Sequence, residues 1–174
     1  CEALADSLAE WGYETTVIRL SAFLESFELP TPHPEDRENE FERLNRLMSR
    51  GNELREALGG GDALAVLAIS EIHRLRPNDD SRTLPGQAFL LRQLKHPDEV
   101  VLLRKVYGKA FHLIGVYCPE EVRRQNLRIT RGIASDQVDI LIRRDSGEES
   151  WFGQQVTETF HRADLFVSFL GFDE

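Results

Sequence analysis

Apolar and polar residues follow a helix-then-strand pattern from the first residues of the chain. Residues 1–11 (CEALADSLAEW) place apolar side chains at helical spacing. Residues 14–21 (ETTVIRLS) have the β-branched, apolar composition of a strand. A helix that leads directly into a strand is the second half of a β-α-β unit. We therefore expect the first strand of that unit to lie before Cys1.

The next part of the chain predicts two helices instead of another strand. Pro32 and Pro34 place residues 31–36 in a loop, because proline cannot continue a helix. Apolar residues then recur at helical spacing within residues 35–58, and three glycines at 59–61 end that helix. These glycines have no strand before them and no Gly-Lys-Ser/Thr ending, so they do not form a phosphate loop. Asp62 is expected to cap the following helix, residues 63–76.

From residue 87 onward, strand and helix patterns alternate. Residues 110–117 (AFHLIGVY) are nearly continuous in apolar residues, as in a strand buried on both faces of a parallel sheet. The predicted strands lie at 87–93, 110–117 and 165–170. Four helices are predicted between and after them: from Pro97 to the residue before Gly108, from 120 to about 130, from Ser135 or Asp136 to 143, and from about 150 to 163.

This order predicts a single α/β domain over residues 1–174. Its parallel strands, at about 14–20, 87–93, 110–117 and 165–170, would form a three-layer sandwich with helices on both faces. With the strand expected before Cys1, the sandwich would have five strands and be of the P-loop NTPase or nucleotide-kinase type. The loop after that missing strand would be the phosphate-binding loop, absent here or reduced to its last residues at Cys1.

The composition of the chain argues against several classes of binding partner. The formal net charge of -9 disfavours general binding to nucleic acid or to an anionic membrane. No apolar run approaches the roughly 20 residues of a membrane span. Two cysteines, Cys1 and Cys118, are typical of a protein from the reducing cytoplasm. The histidines and cysteines follow no zinc-binding spacing, so no metal site is expected within this chain.

Arginines near the predicted carboxyl ends of strands are the candidate ligand-binding residues. In parallel α/β sheets, ligands bind beyond those ends, and guanidinium groups suit phosphate oxygens. The alternative for these arginines is a solvated helix face with local acidic partners. Arg55, on another predicted helix, is expected to be remote from them. The predicted nucleotide-binding residues are Arg92, Arg123, Arg124, Arg143, Arg144 and Asp145.

Several strings in the chain resemble one protein family, the deoxycytidylate deaminase-related proteins. The strings are QAFLLRQLKHPDEVVLLRKVYGKAFHLIGVY at 87–117, CPEEVR at 118–123, LIRRD at 141–145, and the stretches 12–21 and 153–167. The resemblance implies a P-loop kinase-like domain that precedes a zinc-dependent deaminase domain. Some members of the family deplete deoxycytidine nucleotides during phage infection. The zinc ligands and the proton-shuttling glutamate would lie after Glu174, so this chain alone is not expected to deaminate a nucleotide.

Three functions follow from these patterns. The first is a nucleotide-binding, regulatory domain that acts on an attached deaminase domain. The second is a nucleotide kinase that transfers a phosphoryl group from a Mg-nucleotide, although no Walker lysine and no Mg²⁺-binding aspartate at a strand end is visible. The third is an oligomerisation module that uses the apolar stripe of residues 41–48, a stripe that also fits ordinary core.

Overall fold

The computed structural model describes residues 2–34, 37–76, 85–147 and 152–169. These residues form a mixed α/β structure in which helices separate parallel strands. The elements are α1 (Glu2–Glu10), β1 (Glu14–Arg19), α2 (Leu20–Phe23), α3 (Glu40–Leu58), α4 (Ala63–Leu75), β2 (Gln87–Arg92), α5 (Pro97–Tyr107), β3 (Ile114–Tyr117), α6 (Glu120–Gln125), α7 (Ser135–Ser146), α8 (Val156–His161) and β4 (Leu165–Ser168).

The strands form two parallel pairs. In the first sheet, β1 pairs with β2, and the register runs from Glu14 beside Gln87 to Arg19 beside Arg92. In the second, β3 pairs with β4 from Ile114 beside Leu165 onward. Among the described residues, these are separate two-stranded sheets. The predicted alternation of helices with parallel strands is confirmed at this level.

The two halves of the structure share one long helix. A first apolar cluster lies between β1 and helices α2, α3 and α4, with Ile18, Leu54 and Leu64 among its buried members. A second cluster, around α7, contains Val138 and Leu141. Helix α3 contributes to both, because its carboxyl half carries Leu54 and its amino half packs the side chains of Phe41, Leu44 and Met48 against the second cluster. The apolar stripe of residues 41–48 thus packs within this chain.

Strand β3 is shorter and more exposed than the sequence predicts. The strand was expected over 110–117, but it begins at Ile114, because the 3₁₀ turn Gly108–Ala110 ends α5 and the backbone N–H of Leu113 donates to Asp164. The expectation of burial on both faces is wrong in this structure, since Val116 is 62% exposed and Tyr117 is 52% exposed. All four residues of β4 are exposed as well.

Several predicted helix ends also shift. Residues 35 and 36 lie outside the described part, and α3 begins at Glu40, where Asn39 and Glu42 form a reciprocal capping box. Asp62 occupies the cap position of α4 but donates and accepts no capping hydrogen bond through its side chain. The last helix was expected to begin at about residue 150, which lies outside the described part. In the described residues from 152 onward this helix begins at Val156, after Gln155, whose backbone N–H donates to the carbonyl of Lys95.

Two further differences concern α6 and α7. Helix α6 ends at Gln125, and a π-helical turn, Asn126–Thr130, continues it to the predicted end. Helix α7 begins at Ser135 and runs three residues beyond its predicted end, to Ser146. Neither Ser135 nor Asp136 caps it, because the cap position belongs to Ala134. As predicted, Gly59 ends α3 in a left-handed conformation, with φ of 70°. Within the described ranges, no helix combines the length and apolar character needed to cross a bilayer.

Candidate functional site

The loop after β2 is held in place by one buried carboxylate. Glu99, in the first turn of α5, accepts hydrogen bonds from the backbone N–H groups of Lys95 at 2.6 Å and His96 at 3.1 Å. The ring of His96 accepts in turn from the N–H of Asp98 at 3.2 Å, which completes a capping box. Arg92, the last residue of β2, is exposed just before this loop. The loop therefore gives a fixed position to side chains at the carboxyl end of β2.

Lys95 connects this loop to α7. Its ammonium group pairs with the carboxylate of Asp145 and donates to Oε1 of Gln154 at 3.3 Å. The Lys95 and Asp145 side chains are 20% and 25% exposed, so both remain partly accessible to solvent. The structure thus brings the predicted residue Asp145 against the loop that follows the predicted residue Arg92.

Arg144, the neighbour of Asp145, contacts a different helix. Its Nη1 atom donates to the carbonyl of Asn45 at 3.2 Å, to the side-chain oxygen of Asn45, and to Oγ of Ser49 at 3.4 Å. These bonds hold α7 against α3. Arg143 is exposed, and its side chain has no hydrogen-bond partner among the described residues. Consecutive residues of one helix therefore differ in the contacts they make.

The arginines of α6 lie on another surface. Arg124 donates through Nε to Glu120 at 2.8 Å and pairs through Nη1 with Asp139 of α7. The hydrogen bond from Arg124 to Asp139, and to a lesser extent the one to Glu120, raises the pKa of the Arg124 guanidinium. Arg123 is half-buried, and its Nε atom is buried with no hydrogen-bond partner in the described part of the chain. The six predicted residues do not meet at one point, and their role as nucleotide ligands stays a prediction.

Arg55 does not lie where the sequence placed it. It was expected to be remote, but its side chain is 1% exposed and its Nη2 atom lies 3.1 Å from the carboxylate of Glu99. A buried ionic pair thus connects α3 to the loop after β2. The sequence indicates the position of Glu99, because His96 and Glu99 have the spacing of a capping box. Nothing local to Arg55 indicates its partner, which is 44 residues away.

Arg19 is a second residue that sequence reasoning missed. It is the last residue of β1 and the direct register partner of Arg92. A signal was present, because Arg19 lies near the carboxyl end of a predicted parallel strand, as Arg92 does. The pairing of β1 with β2 could not be read from either strand alone.

An open depression of about 710 Å³ lies away from these residues. Arg104, Lys109, His112 and Asp164 contribute to its lining, at the amino ends of β3 and β4. In parallel sheets, ligands bind at the opposite, carboxyl ends of the strands. We therefore do not assign the predicted nucleotide site to this depression.

The described side chains of the candidate site do not form a cluster of metal ligands. Among the described residues, no group of three or more His, Cys, Asp or Glu side chains is placed to hold a metal ion. Of the carboxylates that contact the loop after β2, Asp145 pairs with Lys95, and Glu99 is bound by the loop backbone and by Arg55. A Mg²⁺ ion that arrived with a nucleotide would rely mainly on the phosphate oxygens for its ligands.

No family model matches this chain, and no curated protein matches it.

Proposed function

We propose that this chain is a nucleotide-binding, regulatory domain with a P-loop kinase-like fold, part of a protein related to deoxycytidylate deaminases. The observation that carries the proposal is the contact of Lys95 with Asp145 at the carboxyl end of β2. A lysine that is partly exposed, fixed by its backbone and held by a carboxylate is well placed to contact a phosphate group. The strings that resemble the deaminase-related family supply the rest of the proposal.

The proposed three-layer sandwich places a further parallel strand between β2 and β3. Support comes from the two parallel pairs, each of which has unpaired strand edges among the described residues. It also comes from the exposed apolar side chains of Val116 and Phe166, because a larger sheet covered by helices would bury such residues. In this proposal, the strand expected before Cys1 and its phosphate loop complete the nucleotide site.

The regulatory part of the proposal assigns the chemistry to a different domain. Deamination of a cytosine nucleotide needs a zinc-bound water and a glutamate that moves protons. The resemblance places those groups after Glu174. Nucleotide bound at the carboxyl end of β2 would alter the deaminase domain through contacts between the two domains. The purified 174-residue chain should therefore release no ammonia from dCMP or dCTP, and ammonia release would contradict this division of roles.

The direct test is nucleotide titration of the whole protein by calorimetry. We expect Lys95→Met to weaken binding of dCTP about 10-fold or more, since a hydrogen bond to a charged group contributes about 1.5–3 kcal/mol. Asp145→Asn should have a smaller effect, because it removes the contact that orients Lys95 and also a negative charge that would repel a phosphate. Arg74→Gln is the matched control, as Arg74 is an exposed cation on α4 paired with Glu71.

Equal affinity of Lys95→Met and the control would contradict the proposed site. Nucleotide turnover by the whole protein, with transfer of a phosphoryl group, would favour the kinase function instead. Arg55→Ala is not a suitable control, because Arg55 is buried against Glu99 and its removal would disturb the loop under test.

A further inference from the structure

Two arginines end the two strands of the first sheet side by side. Arg19 is the last residue of β1, Arg92 is the last residue of β2, and the parallel register makes them direct neighbours. Neighbouring strands lie about 4.8 Å apart, so two such side chains are within reach of a single small ligand.

The two side chains emerge on the same face. Ile18 and Leu91, the residues just before them, are also register partners, and both belong to the apolar cluster on one side of the sheet. Successive residues of a strand point to opposite faces. Arg19 and Arg92 therefore lie on the other face, where both are exposed.

This pair of cations has no counter-charge in the described part of the chain. Neither the Arg19 side chain nor the Arg92 side chain has an ion-pair or hydrogen-bond partner among the described residues. The chain has 30 acidic residues and 21 Lys and Arg residues, so acidic partners are plentiful. Arg46 and Arg124, in contrast, each pair with two carboxylates. Like charges on adjacent strands destabilise a sheet, and a bound anion would remove that cost.

We infer that Arg19 and Arg92 together bind the phosphate groups of a nucleotide, an inference that rests on the proposed function. Each guanidinium can donate two parallel hydrogen bonds to phosphate oxygens, and the pair can hold adjacent phosphates or two sides of one. The carboxyl end of parallel strands is also where α/β proteins bind ligands.

The experiment measures two ligands against four forms of the whole protein. The ligands are dCTP and inorganic tripolyphosphate, which carries the phosphates without the nucleoside. The forms are the wild type, Arg19→Gln, Arg92→Gln and the double variant. We expect each single variant to weaken binding of both ligands about 10-fold or more, and the double variant to show a larger loss. Arg74→Gln, with the same charge change at an exposed site, should leave both affinities unchanged.

The outcomes separate this inference from the proposed function. Binding of dCTP that is unchanged in Arg19→Gln and Arg92→Gln would overturn the inference and leave the proposed function standing. Binding of tripolyphosphate that depends on both arginines, without any binding of dCTP, would contradict the proposed function and overturn the nucleotide as the ligand, and would leave the two arginines as a polyphosphate site. Absence of binding of either ligand to the wild type would overturn both. A thermal unfolding curve for each variant confirms that it folds, as expected for exposed side chains.

Discussion

Nη2 of Arg55 lies 3.1 Å from a carboxylate oxygen of Glu99, and both side chains are almost fully excluded from solvent, at 1% and 0% exposed. The same carboxylate accepts the backbone N–H groups of Lys95 and His96. The carboxylate of Glu99 therefore caps the first turn of α5 and connects α3 to the loop where we place the nucleotide site. A buried carboxylate needs such a set of donors, because its removal from water is costly unless it is paired.

The first prediction concerns this pair. Arg55→Met and Glu99→Ala should each lower the free energy of unfolding by about 3–5 kcal/mol, since each leaves its former partner charged and buried. The double variant should lose less than the sum, because the two residues interact directly. Chemical denaturation measures all three. The control is Glu71→Ala, which breaks the exposed Arg74–Glu71 pair and should cost less than about 0.5 kcal/mol. Full additivity would contradict the ionic contact.

Gly61 provides a second prediction, because it packs directly against His96. A Cβ atom at this position would fall inside contact distance of the His96 ring and 2.6 Å from Oδ2 of Asp98. His96 is buried and its ring accepts the N–H of Asp98, so a shift of the ring would break the cap of α5. Gly61→Ala should therefore destabilise the fold by about 1–3 kcal/mol, as overpacking does.

The matched control for that substitution is Gly147→Ala. Gly147 has an extended backbone with φ of 167°, and a Cβ atom there would meet nothing within 4 Å. Thermal or chemical unfolding should show no loss of stability at Gly147. Equal stability of the two alanine variants would argue against the close packing of Gly61 on His96.

Low pH should weaken the hydrogen bond between the backbone N–H of Leu113 and the carboxylate of Asp164, which lies at the start of β3 and β4. A hydrogen bond from the backbone N–H of Leu113, with help from the Arg104 guanidinium, lowers the pKa of Asp164 below its usual value of 3.8. Because the pKa of Asp164 is lower in the folded state than in the unfolded state, its ionised carboxylate stabilises the fold at pH values above 3.8. This contribution is lost as the pH falls through the pKa of the folded state. Carboxyl NMR titration should find the pKa of Asp164 below 3.8 and higher in Arg104→Ala than in the wild type. A pKa at or above 3.8 in the wild type would contradict the contact.

Neighbouring arginines on α7 should differ in their effect on stability. Arg144→Ala removes the hydrogen bonds to Asn45 and Ser49 that hold α7 on α3, and should lower the free energy of unfolding by about 1.5 kcal/mol. Arg143→Ala removes an exposed side chain and should change the free energy of unfolding by less than about 0.5 kcal/mol. Chemical denaturation of the two variants is the measurement. A smaller loss in Arg144→Ala than in Arg143→Ala would show that the contact with α3 does not stabilise the fold.

The sequence by itself determined the order and type of most elements. Local signals were sufficient where a helix carries its own start or stop, as at Pro97 and Gly59, because caps and glycine conformations depend on a few adjacent residues. Strand β2 was likewise close to its predicted bounds. The parallel direction of the strands followed from the helices between them, since a parallel connection needs a crossover.

Only the tertiary structure decided which strands are neighbours and which charges meet. The separation into two strand pairs, the short β3 and the packing of residues 41–48 within the chain depend on contacts between distant segments. The pairing of Arg55 with Glu99 spans 44 residues, and that of Lys95 with Asp145 spans 50. No local pattern encodes such pairs, because the burial and distance that make them favourable arise only when the elements pack together. Arg19 and Arg92 are a similar case, since strand register alone places them side by side.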